Sequence, residues 1–139
     1  MIKVAEKMAQ ATRSGAKTVD LVRRVQKRDG SIVAFDLGRI VNAVHKAMLV
    51  TSEGSEREAE LVANKVYADL VRIARRYSTF IPTVEGIQDN VEKELILNDY
   101  IRTAKSYMLY RQERARIRAE SGAVPERVRE LVRESKKYF

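Results

Sequence analysis

Cysteine is absent from these 139 residues, and histidine occurs once, as His45. The first absence excludes disulfides, thiolate-bound zinc and any thiol or thiyl chemistry carried by this chain alone, and the second makes a metal centre a poor expectation. No apolar run approaches the roughly 18 residues that a membrane span requires. The start, Met1 to Gly15, lacks the central apolar block of a signal peptide, so a cytoplasmic address is expected. Neither paired carboxylates, nor a nucleophile beside a base, nor a phosphate-binding glycine loop of the Walker type is visible, so the expected role is binding without turnover. Acidic residues are scarce at both ends. Residues 1–35 hold eight Lys/Arg against three Asp/Glu, residues 36–99 eight against eleven, and residues 100–139 eleven against five, within a net charge of +8. A nucleic-acid binder concentrates its basic residues on one face, whereas here they lie at both ends and the C-terminal part interleaves Arg with Glu, as solvated helices do.

What is present is one domain's worth of chain, 45% hydrophobic and 33% charged, enough for a real core. Its most telling stretch is Val25-Gln26-Lys27-Arg28-Asp29-Gly30-Ser31-Ile32-Val33. Asp-Gly between β-branched residues predicts a hairpin closed by a type I′ turn, with positive φ at both Asp29 and Gly30 and strands over 22–27 and 31–35. Lys27 and Arg28 then sit near its tip. Asp36 reads as the N-cap of a helix to about Val50, with Leu37, Ile40, Val41, Val44, Ala47 and Met48 on one stripe. Arg39 falls in the first turn, where a cation opposes the helix dipole by about 0.3–1 kcal/mol, a placement that makes sense beside a bound anion such as phosphate.

Further along, Ser55-Glu56-Arg57-Glu58 is a capping box, followed by Ala59, Val62, Val66, Leu70 and Ile73 on one helix face ending in Arg75 and Arg76. Residues 77–83 form a connector with room for a third short strand, since a two-stranded hairpin alone is marginal. Thr83 caps a helix carrying Val84, Ile87, Val91, Leu95 and Ile96, which Asn98-Asp99 ends. Gly86 within it serves either helix packing or close approach of a ligand. A long helix from Tyr100 to about Glu120 places Ile101, Ala104, Met108 and Leu109 inside, with a solvated charge run from Arg111 to Arg118. Tyr100, Tyr107 and Tyr110 read as core, and His45 as a boundary residue. Met1–Lys17 shows a faint helical period, and Pro125 opens a final amphipathic helix with Val128, Leu131 and Val132. The closing Tyr138-Phe139 suggests a piece of a longer polypeptide.

The ordered motifs V-x-K-R-D-G, F-D then R-I, I-P-T-V-E-G-I-Q-D-N-V-E and A-K-S-Y-M-L-Y-R-x-E-R resemble the ATP-cone, a regulatory nucleotide-binding domain at the N-terminus of many ribonucleotide reductases. The resemblance covers residues 22–115, leaving 1–21 as a lead-in and 116–139 as a helical extension towards a catalytic domain. It implies an α+β, mostly helical fold, with a hairpin or three-stranded sheet over about four helices and an adenine nucleotide between them. Carried onto this chain, Lys27, Arg28 and Arg39 would meet phosphate oxygens, Arg39 standing where relatives often have Lys. Val25 and the strand from Val33 to Phe35 would offer backbone groups and apolar cover to the base, and Ile40 belongs to the same nucleotide-binding set. Thr83, Ile87 and Gln88 would line the start of the closing helix, some relatives having His at the Gln88 position. Arg111 resembles a further phosphate-side cation.

The resemblance also implies ATP or dATP as effector, with or without Mg2+, bound without hydrolysis. ATP would activate and dATP inhibit by favouring different quaternary arrangements. The partners implied are the catalytic domain of the same polypeptide and further copies, met through helix faces such as that of Arg102 and Lys105. A second reading, an ATP- or dATP-responsive transcriptional regulator of reductase genes, would need a zinc ribbon, and the cysteines for one are absent. A third is a helical interaction domain whose basic hairpin is incidental.

Overall fold

A computed structural model describes residues 21–121. The expected lead-in helix and the final helix after Pro125 lie outside the described residues. Two strands, β1 (Arg24–Gln26) and β2 (Ile32–Ala34), precede four helices, α1 (Leu37–Thr51), α2 (Glu56–Arg76), α3 (Val84–Leu97) and α4 (Ile101–Ser121). The α+β, mostly helical class expected from the sequence is the one observed. Each helix packs on two others, α1 on α2 and α4, and α3 on α2 and α4, so the four close into a ring around one core. Among the described residues no helix is long and apolar enough to cross a membrane.

The helix starts follow the local chemistry closely. Asp36 stays extended at φ −135° and its carboxylate accepts from the Gly38 N–H, Glu58 reaches back to the Ser55 N–H at 2.9 Å, and Thr83 Oγ1 accepts from the Gly86 N–H at 3.0 Å. Glu53 performs the same task for α4 from outside its chain neighbourhood. Its carboxylate accepts from Thr103 N at 2.6 Å, Thr103 Oγ1 at 2.7 Å and Arg102 N at 3.2 Å, while Thr51 and Thr103 hydroxyls meet at 2.9 Å. This contact ties the α1–α2 turn to the first turn of α4.

The predicted stripes hold for α1, with Ile40, Val44, Ala47 and Met48 buried and Leu37 and Val41 packed against them. Elsewhere they need correction. Ile73 and Ile96 are 37% and 45% exposed, because Ala74 and Leu95 take the inward positions. In α4, Ile101 and Leu109 face outward at 42% and 65% exposure, while Thr103, Ala104 and Tyr107 are buried. Four consecutive apolar residues, Tyr107 to Tyr110, put apolar groups on every side of α4, so periodicity cannot choose its face; the Glu53–Thr103 contact does. Of the three tyrosines expected in the core, Tyr107 is buried, Tyr100 packs at its edge and Tyr110 is exposed.

Burial opposes the charge on Glu53, but the hydrogen bonds from Thr103 and Arg102 outweigh it and hold the carboxyl below the usual glutamate range. A depressed folded-state value adds stability that is present above the unfolded value of about 4.3 and lost as pH falls through the folded one. Glu53→Ala is therefore expected to cost about 1 kcal/mol at pH 7, typical for loss of a helix cap. The difference from wild type, measured by urea unfolding, should shrink as pH is lowered below 4.

Candidate functional site

The hairpin is shorter in its ladder than expected and differs in its turn. Pairs Arg24↔Ala34, Val25↔Val33 and Gln26↔Ile32 form the ladder, extended by Lys27 N to Ser31 O at 2.8 Å and Phe35 N to Arg23 O at 2.7 Å. Within the turn only Gly30 has positive φ, +89°, and its N–H donates to Lys27 O at 3.0 Å. The tip is thus a three-residue loop, Arg28-Asp29-Gly30, in place of the type I′ turn. Asp29 spends its carboxylate on Ser31 N and Oγ at 3.0 and 2.6 Å, which steadies the loop without a left-handed Asp29.

The anticipated third strand is reduced to one parallel bridge, Gln26↔Thr83, made by Gln26 N donating to Pro82 O at 2.9 Å. Pro82 has no N–H to extend it. That bridge sets the hairpin tip beside the first turn of α3, while Phe35 and Asp36 lead directly into α1. Two helix N-termini, each carrying about half a positive charge, therefore open beside one basic hairpin.

Arg28 is fastened there, its Nε 2.5 Å from Glu85 Oε1 and its Nη2 3.1 Å from Gln88 Oε1. The second oxygen of Glu85 accepts from Arg111 Nη2 at 2.9 Å, and Arg111 Nη1 also meets Asp89 and Glu92, each at 2.9 Å. Burial weighs against the Arg111 charge, yet these three carboxylates keep it fully protonated. Burial likewise opposes a charged Glu85, and its two guanidiniums more than compensate, lowering its value. Arg118, a further two turns along α4, carries a charge disfavoured by burial first and by Arg28, Arg114 and Arg111 next, with Glu85 as its counterweight.

The structure therefore brings Arg28, Thr83, Gln88 and Arg111 of the expected set to one place. Lys27 is half-buried on the hairpin's inner side and, among the described residues, joins no ion pair. Arg39 lies at the far end of β2, 3.6 Å from Asp36; from the Ser31 level to Phe35 is about 13 Å of extended backbone. Val25, Ile40 and Ile87 turn their side chains wholly into the core, so a ligand could meet only their backbone. Val33 and Phe35 are half-buried, Phe35 lying 5.5 Å from the Tyr67 ring. Gly86 faces outward, and an added Cβ would meet only Thr83 Oγ1 at 3.1 Å, so helix packing is not its reason. A cleft of about 680 Å³ between Arg23-Arg24 and Ser78–Ile81 contains none of the expected residues.

Sequence reasoning missed the acidic partners Glu85, Asp89 and Glu92. Their spacing of four and three residues places them on one face of α3, opposite Arg111 and Arg118 spaced seven apart on α4, and that pairing was the available signal.

A family model described as the ATP cone domain matches residues 23–116. Over 105 residues the chain is 40% identical to the vitamin B12-dependent ribonucleoside-diphosphate reductase of Thermoplasma acidophilum, covering 72% of this chain and 13% of that protein. It is 36% identical over 112 residues to the protein of the same description from Mycobacterium tuberculosis, covering 81% of this chain and 15% of that one. With the ribonucleoside-diphosphate reductase subunit alpha of Chlamydia muridarum it shares 34% over 101 residues, 68% of this chain and 10% of that subunit. The matched stretch is thus a small fraction of each relative's length.

Gly30→Ala forces a β-carbon into the left-handed region although open space surrounds it, so its effect reports backbone strain alone. It is expected to cost about 1–2 kcal/mol in thermal or urea unfolding.

Proposed function

The chain belongs to the ATP cone domain family, and on that footing we propose that it is the regulatory nucleotide-binding domain of a ribonucleotide reductase, taking ATP or dATP as effector and hydrolysing neither. The observation that carries this reading is the first turn of α3, set by the Gln26–Thr83 bridge beside the hairpin tip that bears Lys27 and Arg28, an arrangement that attracts a polyanion. In this reading Lys27, Arg28 and Arg39 bind phosphate oxygens, with Arg111 behind them. Backbone groups of Val25, Val33, Phe35 and Ile40 border the base, and Thr83, Ile87 and Gln88 form the wall supplied by α3. Absence of turnover is supported by the state of the nearby carboxylates: Asp89 and Glu92 are both bound to the Arg111 guanidinium, and neither is held ready to activate water. Among the described residues no three acidic or histidine groups are placed to hold a metal, so Mg2+ would arrive on the phosphates.

Residues 22–115 form the regulatory unit in this account, 1–21 its lead-in and 116–139 an extension towards a catalytic domain on the same polypeptide, which the much greater length of the relatives supports. A cytoplasmic location fits that role. ATP and dATP differ by one hydroxyl, and a neutral hydrogen bond contributes only about 0.5–1.5 kcal/mol, so regulation works through the assembly each nucleotide favours. The exposed face of α4, where Ile101 and Leu109 flank Arg102 and Lys105, offers a coupling surface between copies.

Calorimetric titration of the chain with ATP and dATP is expected to show binding without release of ADP. Lys27→Ala combined with Arg39→Ala should weaken it at least about tenfold, since charge-assisted hydrogen bonds contribute about 1.5–3 kcal/mol each. Unchanged affinity in the double variant would contradict the assignment.

A further inference from the structure

We propose that Glu85 is a built-in stand-in for nucleotide phosphate: its carboxylate holds the Arg28 guanidinium, and an incoming triphosphate must displace it to bind. The inference rests on the nucleotide-binding reading above and adds an internal competitor to that site.

Arg28 occupies a place that calls for a negative neighbour. It lies against the first turn of α3, where the helix dipole is positive, and Arg111 and Arg118 of α4 add charge of the same sign. Glu85 answers all of them at once, giving one oxygen to Arg28 at 2.5 Å and the other to Arg111 at 2.9 Å. A triphosphate would satisfy the same groups with more charge.

The surrounding contacts make the exchange inexpensive. Gln88 keeps its own hydrogen bond to Arg28 Nη2, so the guanidinium stays aimed when Glu85 leaves. Arg111 retains Asp89 and Glu92, so it is not stranded without a counter-ion. Glu85 itself has a side chain 51% exposed and can turn into water without burying an unpaired charge. None of the three groups is left unsatisfied, and phosphate binding becomes a swap of partners at Arg28. Because Glu85 also grips Arg111, the swap loosens one of the three ties between α3 and α4, which carries the binding event to the outer face of α4.

The test is titration of wild type, Glu85→Gln and Asp89→Asn with ATP and with inorganic tripolyphosphate. Asp89 bears the same charge one turn further along α3 and touches Arg111 but not Arg28 among the described residues, so it measures the general effect of deleting a negative charge nearby. Glu85→Gln should tighten both ligands about tenfold, by removing a competitor that holds Arg28 with a charge-assisted bond, and Asp89→Asn should tighten them clearly less. A Glu85→Gln affinity no higher than that of Asp89→Asn overturns the inference while leaving the nucleotide reading intact. Wild type that binds neither ligand overturns both. The wild-type chain supplies a check free of any folding defect: saturating ATP should move the Glu85 side-chain carboxyl carbon resonance as it leaves Arg28. A resonance that stays in place overturns the displacement.

Discussion

The Gln26 N–H, donating to Pro82 O at 2.9 Å, joins two stretches of chain more than fifty residues apart and decides what lies beside the hairpin tip. A three-residue ladder standing alone is marginally stable. Here Val25 is fully buried among the helices, worth about 1.5–3 kcal/mol for a side chain of that kind, and the bridge to the start of α3 fixes the ribbon's direction. From that point the rest is forced: β2 runs back into α1, the tip faces the first turn of α3, and the N-termini of both helices open on the same basic ribbon.

Charge then organises what the backbone has placed. An isolated cluster of Arg28, Arg111 and Arg118 would repel itself, and Glu85, Asp89 and Glu92 offset it. The offset is uneven. Arg111 is surrounded by three carboxylates and only 17% exposed, as suits a structural tie between α3 and α4, whereas Arg28, among the described residues, pairs with a single carboxylate that is half in water. One end of the network is therefore held by several partners and the other by few, which is the division of labour that the proposed exchange of partners at Arg28 requires.

Much of this was legible in the sequence wherever a local rule governs. Asp36, Ser55 with Glu58, and Thr83 announce helix starts because capping depends on residues within one turn, and the stripe of α1 is readable because its apolar residues fall on a single face. Reading failed where the local sequence permits two outcomes or where distant groups decide. The turn has positive φ at Gly30 alone because Asp29 instead hydrogen-bonds Ser31, a choice between two turns that the Asp-Gly pair permits equally. The face of α4 is chosen by Glu53, some fifty residues away, and not by its own apolar pattern. Arg28, Thr83, Gln88 and Arg111, which the family motifs single out, lie near one another in the fold, but the carboxylates that engage the two arginines belong to the packing of α3 on α4 and carry no local signature.

The central claim is that the anion-binding centre of this chain is the junction of the hairpin tip with the first turn of α3. The most direct test is backbone amide NMR of the wild-type chain titrated with ATP. The account predicts the largest shifts at Lys27–Ser31 and Thr83–Gln88, with smaller ones around Arg39. Shifts concentrated instead in the cleft between Arg23-Arg24 and Ser78–Ile81, or no shifts at saturating nucleotide, would contradict it.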